Sequence, residues 1–377
     1  MDNFEKFYLI SINNRKIYNN PVINNHINSN NNSKENVYKK FRIYYFDILR
    51  TVSSFSVVLI HVSARYYKSN IYSNNWKIAH YYNGISRFGV PIFLMISGAL
   101  FLSKDISISQ MLKKYIRRLL IKLIFWSFIY SIYRRNLSIK NIPIIIIHFF
   151  LGSYHFWYLN VIIELYLITP FLRELIKKDL LNIFLKLSFI FTFIIPNIND
   201  FNSYFPQILS KIVQIINMKL DYKYIKGYIF YFMFGYYLNN KKMSLYNVII
   251  IYIFGIIGFL FTTIILYQIS IIEQKKNLKY FRGLNLNILL YSTSIFVFFK
   301  LNLNNYKINL LLKRISNYTF GIYLIHPLVL YQIRRISRDF VSIKLLFKIP
   351  LISIIVFLIS LMICIIIKIL PIFGKYI

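Results

Sequence analysis

Long apolar runs recur along this chain from about Tyr44 to the C-terminus, and each is close to the length needed to cross a bilayer. Runs such as 249–266 and 351–370 are continuous and lack the alternation of apolar and polar positions expected of a membrane strand. Backbone groups in lipid must bond to one another, so only helices or a closed barrel can span a membrane, and the missing alternation excludes the barrel. The pattern therefore predicts an all-α fold, a polytopic membrane helical bundle.

The apolar runs predict about ten transmembrane helices separated by polar loops. Residues 1–40 are polar and Asn-rich and lack the apolar core of a signal peptide, so they predict a disordered tail ahead of a transmembrane domain over residues 41–377. Segment 141–152 is apolar but too short to cross, so it either lies along the interface or re-enters the membrane. The predicted spans are 43–64, 84–103, 118–134, 155–173, 181–197, 222–239, 246–268, 284–300, 317–334 and 349–371.

Composition narrows the function classes. The formal charge of +34 comes from basic residues that lie between apolar runs rather than along one amphipathic face. This arrangement favours membrane lipids as the partner and argues against nucleic acid. The single cysteine, Cys364, excludes an internal disulfide and a cysteine metal cluster, and no metal site is predicted. The sequence also has no glycine-rich phosphate loop, zinc-ligating His pair or nucleophile elbow, which argues against a nucleotide-driven pump.

Basic loops predict the orientation. One short loop carries a cluster of basic residues, Lys113, Lys114, Arg117, Arg118 and Lys122, and a second carries Arg173, Lys177 and Lys178. Both loops fall on the same side of the membrane as the N-terminal tail if the predicted spans are counted. Because short cytoplasmic loops carry an excess of Lys and Arg, the pattern predicts a multi-pass protein of the cell (inner) membrane with a cytoplasmic N-terminus.

The first predicted span carries ionisable residues, which lipid disfavours by roughly 2.5–3.5 kcal/mol each at a helix centre. Asp47 and Arg50 are neighbours on one helix face and can form an ion pair, or they can serve as ordinary interfacial anchors. Arg50 and His61 lie within about 20° of the same face and about 16 Å apart along the axis. Ser54 lies on the same stripe. A polar stripe that runs from the membrane edge to its middle describes the wall of a wet cavity, and histidine there suits proton transfer.

Other polar residues fall within later spans. Ser97, with the glycine that follows it, is typical of close helix packing. His155 and Trp157 lie at the expected outer boundary, where aromatic belts are common. Glu164 lies inside its span and is expected to face protein or water. His326 is expected at a depth in the membrane similar to that of His61. It is predicted to form a hydrogen bond that shapes the pocket.

Four segments, taken in order, resemble the membrane-bound acyltransferase type 3 family. They are FDILR followed by His61 at the Arg-x10-His spacing, GVPIFLMISGALFL, HFWYLNVIIELYLITPFL and FGIYLIHPLVL. The resemblance extends from about residue 41 to 335. Within the family, the chain is most similar to the branch that transfers acetyl or succinyl groups onto surface polysaccharides and lipid-linked sugars.

The resemblance implies a ten-helix bundle that passes an acyl group from cytosolic acyl-CoA, acetyl-CoA foremost, to a sugar hydroxyl. No cofactor is expected to be bound, because acyl-CoA is the donor substrate. His61 matches the catalytic histidine of the family and Arg50 its partner arginine. The Arg-x-x-Arg pair of the family corresponds to Lys114 and Arg117 here, and with Arg118 these residues are expected to bind the donor. The expected pocket and supporting residues are Asp47, Ser54, Ser97, His155, Trp157, Glu164 and His326.

Two other function classes fit a membrane bundle. A polysaccharide or lipid-linked sugar exporter would also have about ten spans and intramembrane ionisable groups. Such transporters often show two similar halves with matching broken helices, and this sequence shows no such symmetry. A membrane scaffold without catalysis is the other alternative, and the alignment of Asp47, Arg50 and His61 argues against it.

The orientation can be tested with reporter fusions. Fusions at Lys40 and Ser109 are expected to report the cytoplasm, because the basic loops cluster on that side, and a fusion at Ser73 is expected to report the opposite side. An external signal at Ser109 would place the proposed donor loop on the wrong side of the membrane.

Overall fold

A computed structural model describes residues 42–135, 142–196, 206–208, 210–212, 215, 225–303, 309–336, 343–370 and 373–376. The predicted disordered tail, residues 1–40, lies outside these ranges. Internal contacts divide the chain into Met1–Ile43 and Tyr44–Ile377, and the second unit contains all the elements that follow.

Within the described ranges the chain consists of helices joined by turns, with no strand, which confirms the all-α prediction. Within these ranges, the α-helices of seven or more residues are α1 Tyr44–Ser63, α2 Asn74–Ile85, α3 Gly89–Phe101, α4 Arg117–Arg135, α5 Ile142–Leu151, α6 Trp157–Lys177, α7 Leu181–Phe189, α8 Ile229–Asn240, α9 Leu245–Leu260, α10 Leu266–Ile272, α11 Leu286–Leu303, α12 Leu310–Ile336 and α13 Leu345–Ile369.

The number of membrane spans agrees only partly with the sequence. Among the described residues, 6 helical segments are long and apolar enough to cross a membrane: Tyr44–Lys68, Asn74–Phe101, Ile142–Lys177, Leu245–Ile272, Lys279–Leu303 and Leu345–Ile369. Described helices also lie within the other predicted spans, but α8 has only 12 residues, and α12 carries Asn317 and His326 within its apolar stretch. The protein is therefore a multi-pass membrane protein, and the prediction of about ten spans is not confirmed.

The short apolar segment 141–152 forms α5, and none of the helix's residues is buried. Gly152 then adopts a φ of 68°, and a single 3-10 turn, Tyr154–Phe156, leads directly into α6. Because glycine adopts this left-handed conformation without steric cost, the chain can turn sharply here. The turn sets Tyr154 and His155 just ahead of α6.

Helix α1 lies at the centre of the bundle, where it contacts α2, α3, α11, α12 and α13. The hydroxyl of Tyr45, at its start, donates a hydrogen bond of 2.6 Å to Asn239 Oδ1, near the end of α8. We call this end of the bundle, where α1 begins, the tail side. Along its buried face α1 carries polar side chains as well as apolar ones, and these are Asp47, Ser53, Ser54, Ser56 and Ser63.

Helices α3 and α8 approach each other through glycine. A Cβ atom added to Gly98 would lie 1.7 Å from the carbonyl oxygen of Phe232, and one added to Gly235 would lie 2.1 Å from that of Met95. The two backbones are therefore in direct contact, which small residues make possible between membrane helices. The expectation that the Ser97–Gly98 pair marks close helix packing agrees with this contact.

Replacing Gly98 with alanine is expected to destabilise the bundle by at least about 1–3 kcal/mol, because the new methyl group can fit only if two helices separate. The thermal unfolding midpoint of the purified protein in detergent measures this loss. Gly283→Ala is the matched control, since a Cβ atom there would meet only the ring of Tyr228, at 3.4 Å. Equal midpoints for Gly98→Ala and wild type would show that the helices are not held at this distance.

Candidate functional site

The charged end of α1 forms the ion pair that the sequence predicts. Asp47 is 1% exposed, and its Oδ1 lies 3.4 Å from Nη1 of the partly exposed Arg50. The same Oδ1 accepts a hydrogen bond of 2.7 Å from the hydroxyl of Ser316 on α12. A buried carboxylate without such partners would be costly, so Asp47 ties α1 to α12 and orients the guanidinium of Arg50.

Eleven residues further along α1, His61 faces a second histidine. The ring centroids of His61 and His326 are 5.1 Å apart. On another side, the hydroxyl of Tyr154 lies 3.5 Å from His61 Nδ1. Arg334 donates a hydrogen bond of 3.1 Å to the backbone carbonyl of His61, so the end of α12 is fixed to this point of α1. Two histidines predicted from separate spans are thus neighbours.

A proline orients the second histidine. Pro327 lies inside α12 and has no N–H to donate to the carbonyl four residues earlier. The His326 ring compensates, because its Nδ1 lies 3.0 Å from the carbonyl oxygen of Ile322 and also interacts with the carbonyl of Tyr323. A carbonyl only accepts, so Nδ1 carries the proton and Nε2 keeps its lone pair. Nε2 is buried and has no hydrogen-bond partner among the described residues.

His155 belongs to the same cluster, although its sequence position suggested an outer boundary. Its ring centroid lies 6.1 Å from that of His326 and 4.9 Å from that of Tyr130 on α4. The hydroxyl of Tyr323 donates a hydrogen bond to the backbone carbonyl of His155. The 3-10 turn before α6 is therefore held against α12, and it brings a third imidazole into the interior.

Sequence reasoning missed one important cation, Arg87. The side-chain amide of Asn83 donates to the carbonyl of Ile60 at 3.2 Å and to the hydroxyl of Ser63 at 3.0 Å, and its oxygen accepts from Arg87. Arg87 is thereby held next to the stretch of α1 that carries His61. It lies over the ring of Phe281 at 4.8 Å and has no carboxylate partner among the described residues. The one sequence signal was an arginine directly ahead of the apolar run FGVPIF.

Two serines of the predicted pocket have different surroundings. Ser97 is half-buried on α3 and interacts with the hydroxyls of Tyr158 and Tyr166, both of which lie close enough to Arg50 to feel its charge. Ser54 is buried on α1, and its hydroxyl has no hydrogen-bond partner in the described part of the chain. Ser97 therefore lies near Arg50, at the charged end of the polar stripe.

The remaining predicted residues lie at the surface. Glu164 is exposed on α6, and Trp157 is 41% exposed with its ring centroid 5.3 Å from that of Tyr228. Among the described residues, neither side chain contacts the histidine cluster.

The basic residues of the predicted donor loop are also exposed. Lys114, Arg117 and Arg118 lie where a π-helical turn, Met111–Ile116, passes into α4. Within the described ranges, no group of three His, Cys, Asp or Glu residues could hold a metal ion.

The structure thus offers two kinds of interior group and one kind of surface group that acyl chemistry can use. Imidazole nitrogens at His61 and His326 can accept a proton. Arg87, which has no carboxylate partner among the described residues, can stabilise negative charge nearby. Exposed cations at the start of α4 can bind phosphate.

Comparison with known families gives one match. A model of the acyltransferase type 3 family, described as an acyltransferase domain, matches residues 43–369. The matched range includes every residue placed above in the polar stripe and the histidine cluster. Comparisons with curated proteins and with solved structures give no match.

Proposed function

This chain belongs to the acyltransferase type 3 family, and on that premise we propose that it moves an acyl group, acetyl foremost, from cytosolic acyl-CoA to a hydroxyl of a surface polysaccharide or lipid-linked sugar. The observation that carries the proposal is the pair formed by His61 and His326, with ring centroids 5.1 Å apart in the bundle interior. Family membership makes the protein a membrane acyltransferase, and the comparisons give no support to a transporter.

The donor is proposed to enter from the tail side, with that side in the cytoplasm. Early in α4, Lys122 lies over the ring of Phe320 on α12, about one turn from the Ser316 that bonds to Asp47, so α4 begins on the tail side. Lys114, Arg117 and Arg118 are exposed there and supply the positive charge that the CoA phosphates require. Arg50 lies further along the path on α1, and Asp47 holds its planar guanidinium in one orientation. Lys114 offers charge without a bidentate fork, so the arginines are expected to contribute most to phosphate geometry.

The proposed chemistry is direct attack of the acceptor hydroxyl on the thioester carbonyl carbon. His61 takes the hydroxyl proton as the new C–O bond forms, and the carbonyl oxygen becomes an oxyanion. Arg87, held by Asn83 beside His61, supplies positive charge for that oxyanion. The C–S bond then breaks, and the proton on His61 passes to the departing sulfur. Atoms and charge balance without an external base.

The acceptor is proposed to reach His61 from the side opposite the tail. Tyr154 is 59% exposed and contacts His61, so its ring lies between His61 and the exposed surface at that end of the bundle. Trp157, three residues after Tyr154, forms a tilted aromatic pair with Tyr228, and such a pair is suited to stack against a sugar ring.

Membranes that contain the protein are expected to incorporate labelled acetyl groups from acetyl-CoA into a glycan or lipid-linked sugar fraction, and membranes without it are not. Acyl analysis of the cell-surface glycans of matched cells identifies the acceptor. A protein that leaves both measurements unchanged, while glycan export stops without it, would be a transporter.

Arg50→Lys is expected to raise the KM for acyl-CoA about tenfold with little loss of folded protein. Lysine keeps the charge but loses the planar fork that meets Asp47 and a phosphate. Arg65→Lys is the matched control, because Arg65 is exposed at the far end of the first span. Normal turnover of the Arg50→Lys variant at low acyl-CoA would mean that Arg50 is only an interfacial anchor.

The two facing histidines are expected to contribute unequally. His61→Ala should lower acyl transfer by at least two to three orders of magnitude, the usual scale for loss of a general base. His326→Ala should lower it less, and His326→Gln should recover part of the loss, because glutamine keeps a hydrogen-bonding group beside Ile322. Initial rates at saturating donor, measured at equal membrane abundance, compare the variants.

The opposite ranking would reverse the assignment. If His61→Ala retained near-normal transfer and His326→Ala lost it, the base would be His326, whose Nε2 keeps a lone pair. Normal transfer by both variants would leave the proposed mechanism without a base.

A further inference from the structure

A cavity of about 640 Å³ lies between α7, α8, α9 and α11, away from the histidine cluster. Its volume is in the range of small-molecule sites in proteins. Most of its walls are aliphatic and aromatic, and polar groups are few. The lining residues are Asn182, Leu185, Lys186, Phe189, Phe230, Phe234, Tyr237, Lys241, Ile251, Phe254, Leu289, Leu290 and Thr293.

The cavity extends along one leaflet of a membrane. On α8 it reaches from Phe230 to Lys241, eleven residues or about 16 Å of helix, which is half of a ~30 Å hydrocarbon core. Lys241 lies at the tail-side end, because the preceding residues of α8 bond to the start of α1. Phe189 packs against Phe230 at the other end, with 6.1 Å between ring centroids.

Charge along this cavity has one sign. Helices α7, α8, α9 and α11 contain no aspartate or glutamate over their described lengths. Two lysines line the cavity, Lys241 at its tail-side end and Lys186 about one helical turn from Phe189 in the same direction. The lysine stems can lie along the apolar wall while their ammonium groups reach the membrane surface. The cavity is therefore an apolar slot with a cationic mouth.

The mouth is held in place by a buried lysine. Lys300, on α11, is 4% exposed, and its Nζ donates hydrogen bonds of 2.5 Å to the carbonyl of Leu238 and 2.8 Å to that of Lys241. These carbonyls end α8, where the helix dipole favours a cation. Lys241 also bonds to the hydroxyl of Tyr237 through its Nζ. Lys300 thus fixes the backbone at Lys241, and Tyr237 orients the Lys241 side chain.

We propose that this cavity binds an anionic phospholipid of the tail-side leaflet, with an acyl chain between the four helices and the phosphate against Lys186 and Lys241. An apolar wall one leaflet deep suits a chain, and cations without a carboxylate on the surrounding helices suit a phosphate. The site shares no lining residue with the histidine cluster. Its occupant is therefore a lipid that supports the bundle and is separate from the acyl acceptor.

Native mass spectrometry of the full-length protein in mixed micelles tests the proposal. Wild type is expected to retain phosphatidylglycerol in preference to phosphatidylcholine. The double variant Lys186→Gln, Lys241→Gln should bind phosphatidylglycerol roughly tenfold or more weakly, because each lysine near an anionic headgroup contributes about a fivefold preference. The variant Lys113→Gln, Lys178→Gln removes two exposed lysines elsewhere and is expected to match wild type.

A cavity-filling variant separates the slot from general surface charge. Ile251→Trp keeps both lysines and places an indole in the cavity, so it should also reduce phosphatidylglycerol retention. Equal retention by wild type and the Lys186→Gln, Lys241→Gln variant would overturn the proposal. Equal binding of phosphatidylglycerol and phosphatidylcholine would also overturn it, since the slot would then hold an acyl chain without regard to headgroup charge. A wild-type dimer that Ile251→Trp converts to a monomer would overturn it too, since the slot would then hold a second copy of the chain.

Discussion

The structure depends on hydrogen bonds and ion pairs to the polar groups that the central helix, α1, places in an apolar interior. An unpaired polar or charged group in such surroundings costs several kcal/mol, and several of those on α1 are paired with a neighbouring helix. Asp47 requires both Arg50 and Ser316, which ties α1 to α12. Nearer the other end, the carbonyls of Ile60 and His61 accept from α2 and α12. These contacts decide where the helices around α1 lie.

The same requirement arranges the chemistry. Pro327 removes a backbone hydrogen bond from α12, and the His326 ring bonds to the carbonyls left nearby, so the imidazole is held with one nitrogen committed and the other available. Asn83 acts similarly for Arg87, because its amide is bonded on both sides. The roles proposed for this site depend on such fixed orientation, since a misplaced group contributes little to a transition state.

Charge is distributed unevenly along the membrane normal. On the tail side, the start of α4 and the end of α8 present exposed cations, and Lys300 reinforces the latter from within. In the interior, by contrast, the cations that matter are few and held by amides, carbonyls and aromatic rings. Surface cations suit phosphates in solution or in lipid headgroups, whereas interior cations suit charge that develops during a reaction.

Sequence periodicity and hydropathy by themselves determined that the chain is helical and spans a membrane. The reason is that backbone N–H and C=O groups in lipid must be hydrogen-bonded within the protein, which only helices or a closed barrel achieve. Periodicity also placed Asp47, Arg50 and His61 on one face, since that relation is internal to a single helix. The span count was less certain, because α8 is short and α12 carries polar residues whose burial depends on neighbours. Glu164 illustrates the limit: helix position put it inside a span, and only packing decided that it faces outwards. That Arg87 lies beside His61, and His155 beside His326, follows from contacts between distant segments. Such contacts are set by how helices pack against one another, which no local pattern encodes.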